Sequence, residues 1–131
     1  MNDSDSTNPS EEKGLKVLAL LDNIFFAAKI NQAAQQTGIK VDFAKKSEQA
    51  IEMVQVERPR LIIVDLDAEK CAPLDLIKWL KADEGMRSVQ TLGFASHVNI
   101  DTQQQAREAG CDRVVARSVF DKNLVNLLRE Y

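Results

Sequence analysis

From Lys16 onward, apolar and polar positions alternate in blocks that switch between two periods. The run LKVLALL (residues 15–21) is almost continuously apolar, the pattern of a strand covered on both faces. Asp22 and Asn23 follow, either able to cap a helix over 24–37. In that helix Ile24, Ala27, Ile30 and Ala34 share helical spacing, and Gly38 offers a left-handed stop. IKVDFA (39–44) alternates Ile39, Val41 and Phe43 as a second strand. Ser47 can cap a helix over 48–57 that buries Ala50, Ile51 and Val54 and closes at Pro59.

LIIVD (61–65), with three β-branched residues in a row, is the most strand-like stretch. After a loop through Pro73, residues 74–82 predict a helix burying Leu76, Ile77 and Leu80, with Trp79 half-buried beside them. QTLGFA (90–95) reads as a fourth strand. Asp101 can cap a polar helix to Ala109, closed by Gly110, and RVVAR (113–117) makes a fifth strand. Ser118 with Asp121 three residues on resembles a capping box for a last helix carrying Val119, Leu124, Leu127 and Leu128.

Five strands alternating with five helices require a parallel sheet with helices on both faces, because β-α-β crossovers are right-handed. The expected fold is α/β, a flavodoxin-like doubly wound (βα)5 sandwich with strand order 2-1-3-4-5. The chain has 131 residues, 44% of them hydrophobic, enough for one packed core. No apolar run is long enough to span a membrane, and the N-terminus is too polar for a secretory signal. Cys71 and Cys111 lack a metal- or disulfide-type spacing, which suits a reducing, cytoplasmic setting.

Charge divides the chain in two. Residues 1–13 include Asp3, Asp5, Glu11, Glu12 and a single lysine, Lys13, and so account for the entire net charge of −3. They read as a flexible acidic tail ahead of one domain, residues 14–131. That domain is electrically balanced and has no bulk attraction for a phosphate backbone, so direct nucleic-acid binding is not expected.

In doubly wound sheets, ligands sit beyond the carboxyl ends of the strands, at the switch in strand order. The order above puts Asp22, Asp65 and Asp67 there, with Ser96 and His97 ending the fourth strand and Arg117 and Ser118 ending the fifth. Clustered oxygen donors suit a hard cation such as Mg²⁺. A hydroxyl and a guanidinium beside them suit a phosphoryl group.

At these positions, and over residues 15–130, the chain resembles the receiver domain of bacterial response regulators. The similar stretches are LIIVD ending in Asp65, FAS ending in Ser96, and AGCDRVVARS before the last helix. The resemblance implies that Asp65 stands at the phosphoacceptor position and Ser96 at the hydroxyl position that contacts the phosphoryl group. It also implies a Mg²⁺ site drawn from Asp22, Asp65 and the Asp67 region. The departures are specific. Leu21 replaces the first member of the acidic pair, Arg117 and Ser118 replace a Lys-Pro pair, and Glu69 and Pro73 stand where a proline and a glycine are usual. A leucine removes one negative charge and one metal anchor. Arginine keeps the positive charge but has a planar fork of different reach from an ammonium group.

Plainer roles are open for each residue. Asp65 can be an inherited group on an inactive fold, Asp22 an N-cap, Ser96 a turn initiator, and Arg117 a structural partner of Asp65. Cys111 and Arg117 match the C-x5-R spacing of cysteine phosphatases, yet the DRVVA between them reads as a strand and not a glycine-rich phosphate loop. His97, the only histidine, lacks zinc partners. Phe25 and Phe26 are expected in the core, and DNIFF is not a flavin phosphate loop. No activated nucleophile–base pair is visible, so an enzyme is not expected.

The expectation is a receiver-like signalling module that works by protein–protein contact, with Mg²⁺-dependent phosphorylation of Asp65 impaired or absent. The alternative is a working receiver phosphorylated on Asp65 by a sensor histidine kinase. The resemblance names a kinase or a downstream output protein as partner. It gives the output surface, and a possible homodimer contact, as the fourth helix, fifth strand and fifth helix, with Arg107, Arg113 and Lys122 exposed.

Overall fold

A computed structural model describes residues 16–131; the acidic leader, residues 1–13, lies outside the described residues. Five strands, β1 (Lys16–Leu20), β2 (Lys40–Ala44), β3 (Leu61–Asp65), β4 (Gln90–Ala95) and β5 (Arg113–Ala116), form one sheet in the order β2-β1-β3-β4-β5. Every pairing is parallel, as the crossover rule requires. The helices are α1 (Ile24–Thr37), α2 (Ser47–Val56), α3 (Pro73–Ala82), α4 (Ile100–Ala109), α5 (Arg117–Lys122) and α6 (Leu124–Arg129), with a 3-10 turn at Glu69–Cys71. No described helix is long and apolar enough to cross a membrane.

Alternate strand residues feed two cores. Val17, Ala19, Leu61, Ile63, Leu92 and Phe94 meet α1, α5 and α6 through Ile30, Ala33, Phe120, Leu124, Leu127 and Leu128. Leu18, Leu20, Ile62 and Val64 meet α2 and α3 through Ala50, Val54, Leu76, Ile77 and Leu80, and Ala109 of α4 joins them. The parity is what aims Asp65. It shares a sheet face with Leu61 and Ile63 and pairs in register with Phe94, so its side chain emerges on the α1–α5 side.

Helix ends differ from expectation by a residue or two. Asn23 caps α1, accepting from the Phe25 and Phe26 amides, and Gly38 closes it at φ 73°. Ser47 lies inside α2, whose cap position is Lys46, and is buried there. Asn99, not Asp101, caps α4 by accepting from the Thr102 amide. Ser118 lies within the first turn of α5 and makes no capping box, since the cap position is Ala116. The expected single last helix breaks at Asn123, which leaves helical dihedrals at φ −115° and ψ 17° and whose side-chain amide donates to the Val119 carbonyl. Ile24, Phe25 and Val119, expected inside, are 70%, 75% and 44% exposed. Helix α1 buries Ile30, Ala33 and Ala34 instead, a stripe rotated away from its first turn.

At the amino-terminal edge of the sheet, a polar knot ties α3, β4 and β5 together. Asp112 accepts from the Thr91 amide (2.8 Å), the Thr91 hydroxyl (3.0 Å) and Lys81 (3.0 Å), while the Asp112 amide donates back to the Thr91 hydroxyl at 2.8 Å. Thr91 is fully buried, so its donors have no water to fall back on. Gly110 enters this knot at φ 102°, where a side chain would be strained and would meet Lys81.

Asp112→Ala is therefore expected to cost about 3 kcal/mol in urea unfolding, because it strips charge-assisted bonds from a buried threonine. Asp83→Ala, which removes only an exposed bond to the Gly85 amide, should cost under about 1 kcal/mol.

Candidate functional site

The site is built at the carboxyl ends of β3, β4 and β5. Asp65, the last residue of β3, is 3% exposed. Leu21, at the position where the resemblance calls for an acid, is itself 3% exposed and belongs to the same core. It forms part of the apolar wall on the face that Asp65 shares. Asp22, one residue on, is exposed.

Asp67 and Arg117 complete the group. The chain turns sharply after Asp65, whose Oδ1 accepts from the Asp67 amide at 3.0 Å. Arg117 Nη2 lies 3.2 Å from Asp67 Oδ2 and 3.5 Å from Asp65 Oδ1, so one guanidinium faces both carboxylates. The same Asp67 oxygen accepts from the Ser96 amide at 2.7 Å. Ser96 thus joins the site through its backbone.

Two aromatic rings seat the arginine, and a third backs them. Its guanidinium carbon lies 5.0 Å from the Phe26 ring centre and 5.8 Å from that of Phe94. Phe94 stacks on Phe120 at 4.4 Å, and Phe26 leans on Phe94 at 5.4 Å. Arg117 Nε is buried with no hydrogen-bond partner. Ring faces compensate for part of that loss, since a guanidinium over an aromatic ring is attracted by its quadrupole. A lysine at 117 would lack the flat surface that this seat fits.

Asp65 is held protonated to a higher pH than an ordinary aspartate, whose value is near 3.8. Burial is the largest cause, and the charges of Asp67 and Asp22 add to it. The Asp67 amide and Arg117 pull the other way and do not overcome it.

The donors do not fit a divalent cation as they stand. Two of the three carboxylates, Asp65 and Asp67, face the Arg117 guanidinium, and the remaining position of the expected acidic set is a buried leucine, Leu21. Among the described residues no three His, Cys, Asp or Glu side chains are grouped to hold a metal ion. The loop past Asp65 contains a left-handed residue, Ala72 at φ 55°, directly ahead of Pro73.

Other residues singled out in the sequence stand apart. Cys111 lies just ahead of β5 and Arg117 just after it, so a strand separates them. Burial pushes the Cys111 thiol up, and its sulfur contacts the Arg113 carbonyl at 3.3 Å. His97 is exposed beyond β4, and Phe25 points away from the core that holds Phe26. Sequence reasoning missed the role of Phe26, Phe94 and Phe120 together, because three separated phenylalanines carry no motif. It also missed the contact of Asp67 with Ser96, set by a turn whose path no residue type announces.

Residues 17–129 match the response regulator receiver domain family, and the chain belongs to it. Among curated proteins it is similar to the polar-differentiation response regulator DivK of Brucella anthropi. The two are 18% identical over 115 residues, covering 88% of this chain and 94% of that protein. The fold is shared with a response regulator from Hahella chejuensis at a TM-score of 0.79 and 20% identity, covering 87% of this chain and 92% of the other. It is shared also with the chemotaxis protein CheY4 of Vibrio cholerae at 0.78 and 19%, covering 88% and 96%.

The raised Asp65 pKa has a sign that can be measured. Between the unfolded and folded values the native state binds more protons, so the stability that Asp65 contributes is full below about 3.8 and falls as pH rises through the folded value. Asp65→Asn removes this loss. The difference in urea midpoint between variant and wild type should move in the variant's favour from acid pH to neutrality. A constant difference would show that burial is not what governs Asp65.

Proposed function

We propose that this receiver domain signals by protein–protein contact and that Mg²⁺-dependent phosphorylation of Asp65 is impaired or absent. The observation that carries the reading is the single guanidinium of Arg117 facing both Asp65 and Asp67. A phosphoryl group arriving on Asp65 brings new negative charge beside Asp67 and Asp22, and phosphoryl transfer relies on a cation free to neutralise it. An arginine already committed to two carboxylates, with Leu21 buried next to them, supplies little of that neutralisation.

The family signals through partners, and here the partner would be a sensor histidine kinase or a downstream output protein, met in the cytoplasm. Arg107, Arg113 and Lys122 are exposed around α4, β5 and α5, which supports that face for docking or for pairing two copies. Part of its charge is already spent internally, since Arg113 pairs with Glu130 at 2.8 Å. The reading includes no turnover of a substrate, no membrane insertion and no direct contact with nucleic acid.

A second reading, a working receiver phosphorylated on Asp65, is favoured by the meeting of Asp65, Ser96 and Arg117 at one end of the sheet. Amide NMR with millimolar Mg²⁺ and beryllofluoride, a mimic of the acyl phosphate, separates the two. The expected result is no saturable shift at residues 65–67, 96 or 117, and no labelling by acetyl phosphate. Saturable shifts there, or rapid labelling lost in Asp65→Asn, would establish the second reading in its place.

A further inference from the structure

Three strand ends are tied together by one carboxylate and one guanidinium. Asp67, two residues past β3, holds the Ser96 amide at the end of β4 at 2.7 Å. The same oxygen holds Arg117, the first residue after β5, at 3.2 Å, and Arg117 reaches back to Asp65 at 3.5 Å. Each residue is the lead-in to a different segment: Asp67 to the turn before α3, Ser96 to the loop before α4, Arg117 to α5 itself.

We propose that Asp67 and Arg117 form a built-in latch that closes the crevice without an external ligand. The guanidinium stands between two carboxylates where a divalent cation would otherwise bind. The Asp67 carboxylate stands between the ends of β4 and β5 as a resident anion. The latch deepens the contact-module reading above and rests on it, because it fixes the approach to α4 and α5 in one arrangement that needs neither metal nor phosphoryl group.

Two features make the latch more than a surface ion pair. Arg117 is held against Phe26 and Phe94, so its fork is oriented before it meets either carboxylate. Asp67 has a second, backbone donor at short distance, so it keeps its direction even when the arginine moves. A divalent cation would compete with the guanidinium for the Asp65 and Asp67 carboxylates, and the like charges repel at a few ångströms.

The test uses the full chain and Mg²⁺, with Mn²⁺ as a paramagnetic reporter in NMR. Wild type should show no saturable binding in the crevice. Arg117→Gln, which frees the Asp65 and Asp67 carboxylates, should bind Mg²⁺ at least about tenfold more tightly than wild type, the factor expected from removing a unit charge at this range. Arg117→Met keeps an aliphatic stem on the rings and should gain affinity likewise, which covers failure of the glutamine variant to fold. Asp67→Asn should shift the amides of residues 96–99 and 117–122 with no ligand added, and should gain no Mg²⁺ affinity.

Saturable Mg²⁺ binding by wild type overturns the latch. So does the absence of any gain in the folded Arg117 variants, or unchanged amides at 96–99 and 117–122 in Asp67→Asn. The two proposals fail separately. Wild type that takes up beryllofluoride sinks the contact-module reading, whereas wild type silent to it alongside silent Arg117 variants leaves that reading standing and removes the latch alone.

Discussion

A carboxylate sits at the end of the central strand of this sheet with almost no access to water. Burying an ionised group is costly unless donors and counter-charge surround it. Asp65 receives one backbone N–H from Asp67 and one guanidinium at 3.5 Å, and burial still outweighs them in setting its proton affinity. The rest of the crevice follows from supplying that partial compensation. Arg117 faces Asp65 while lying over the rings of Phe26, carried by α1, and Phe94, carried by β4, and Phe120 of α5 stacks on Phe94. The polar site and the α1–α5–α6 core are therefore one object, and a change in either is felt in the other.

The fold was legible because both faces of the sheet are covered. Strands buried on two sides leave apolar runs such as LIIVD that cannot be mistaken for amphipathic helices, and the spacing between them fixes the crossovers. Asp65 was legible for the same reason, as a charge that stops the most apolar run in the chain. What the sequence concealed depends on dihedral angles and on distant partners. Asn99 caps α4 in place of Asp101 because only its backbone is extended at the point where the helix begins. Phe25 and Phe26 are neighbours of the same type, yet one is exposed and the other is packed, which only the rotation of α1 decides. The meeting of Asp67 with Arg117 spans 50 positions and left no local signal.

Substitution at the cation position changes more than charge. The family resemblance gives a site with two acids after β1 and a lysine after β5, whereas this chain has one exposed acid, a buried leucine and an arginine. These differences are consistent with each other. Leucine at 21 is buried in the core on the face that Asp65 shares, a buried carboxylate needs a fixed counter-charge, and a guanidinium stacked on rings is better fixed than an ammonium on a flexible stem.

A weakly packed helix lies next to this fixed group. Helix α4 is polar along most of its length and buries only Ala106 and Ala109, two small side chains that contribute little apolar area. Elements with few buried apolar contacts open at low free-energy cost and respond to small changes at their ends. The loop that leads into α4 begins at Ser96, whose amide is held by Asp67 at 2.7 Å. A firm polar anchor thus stands at one end of the loop and a weakly packed helix, which carries the exposed Arg107, follows it.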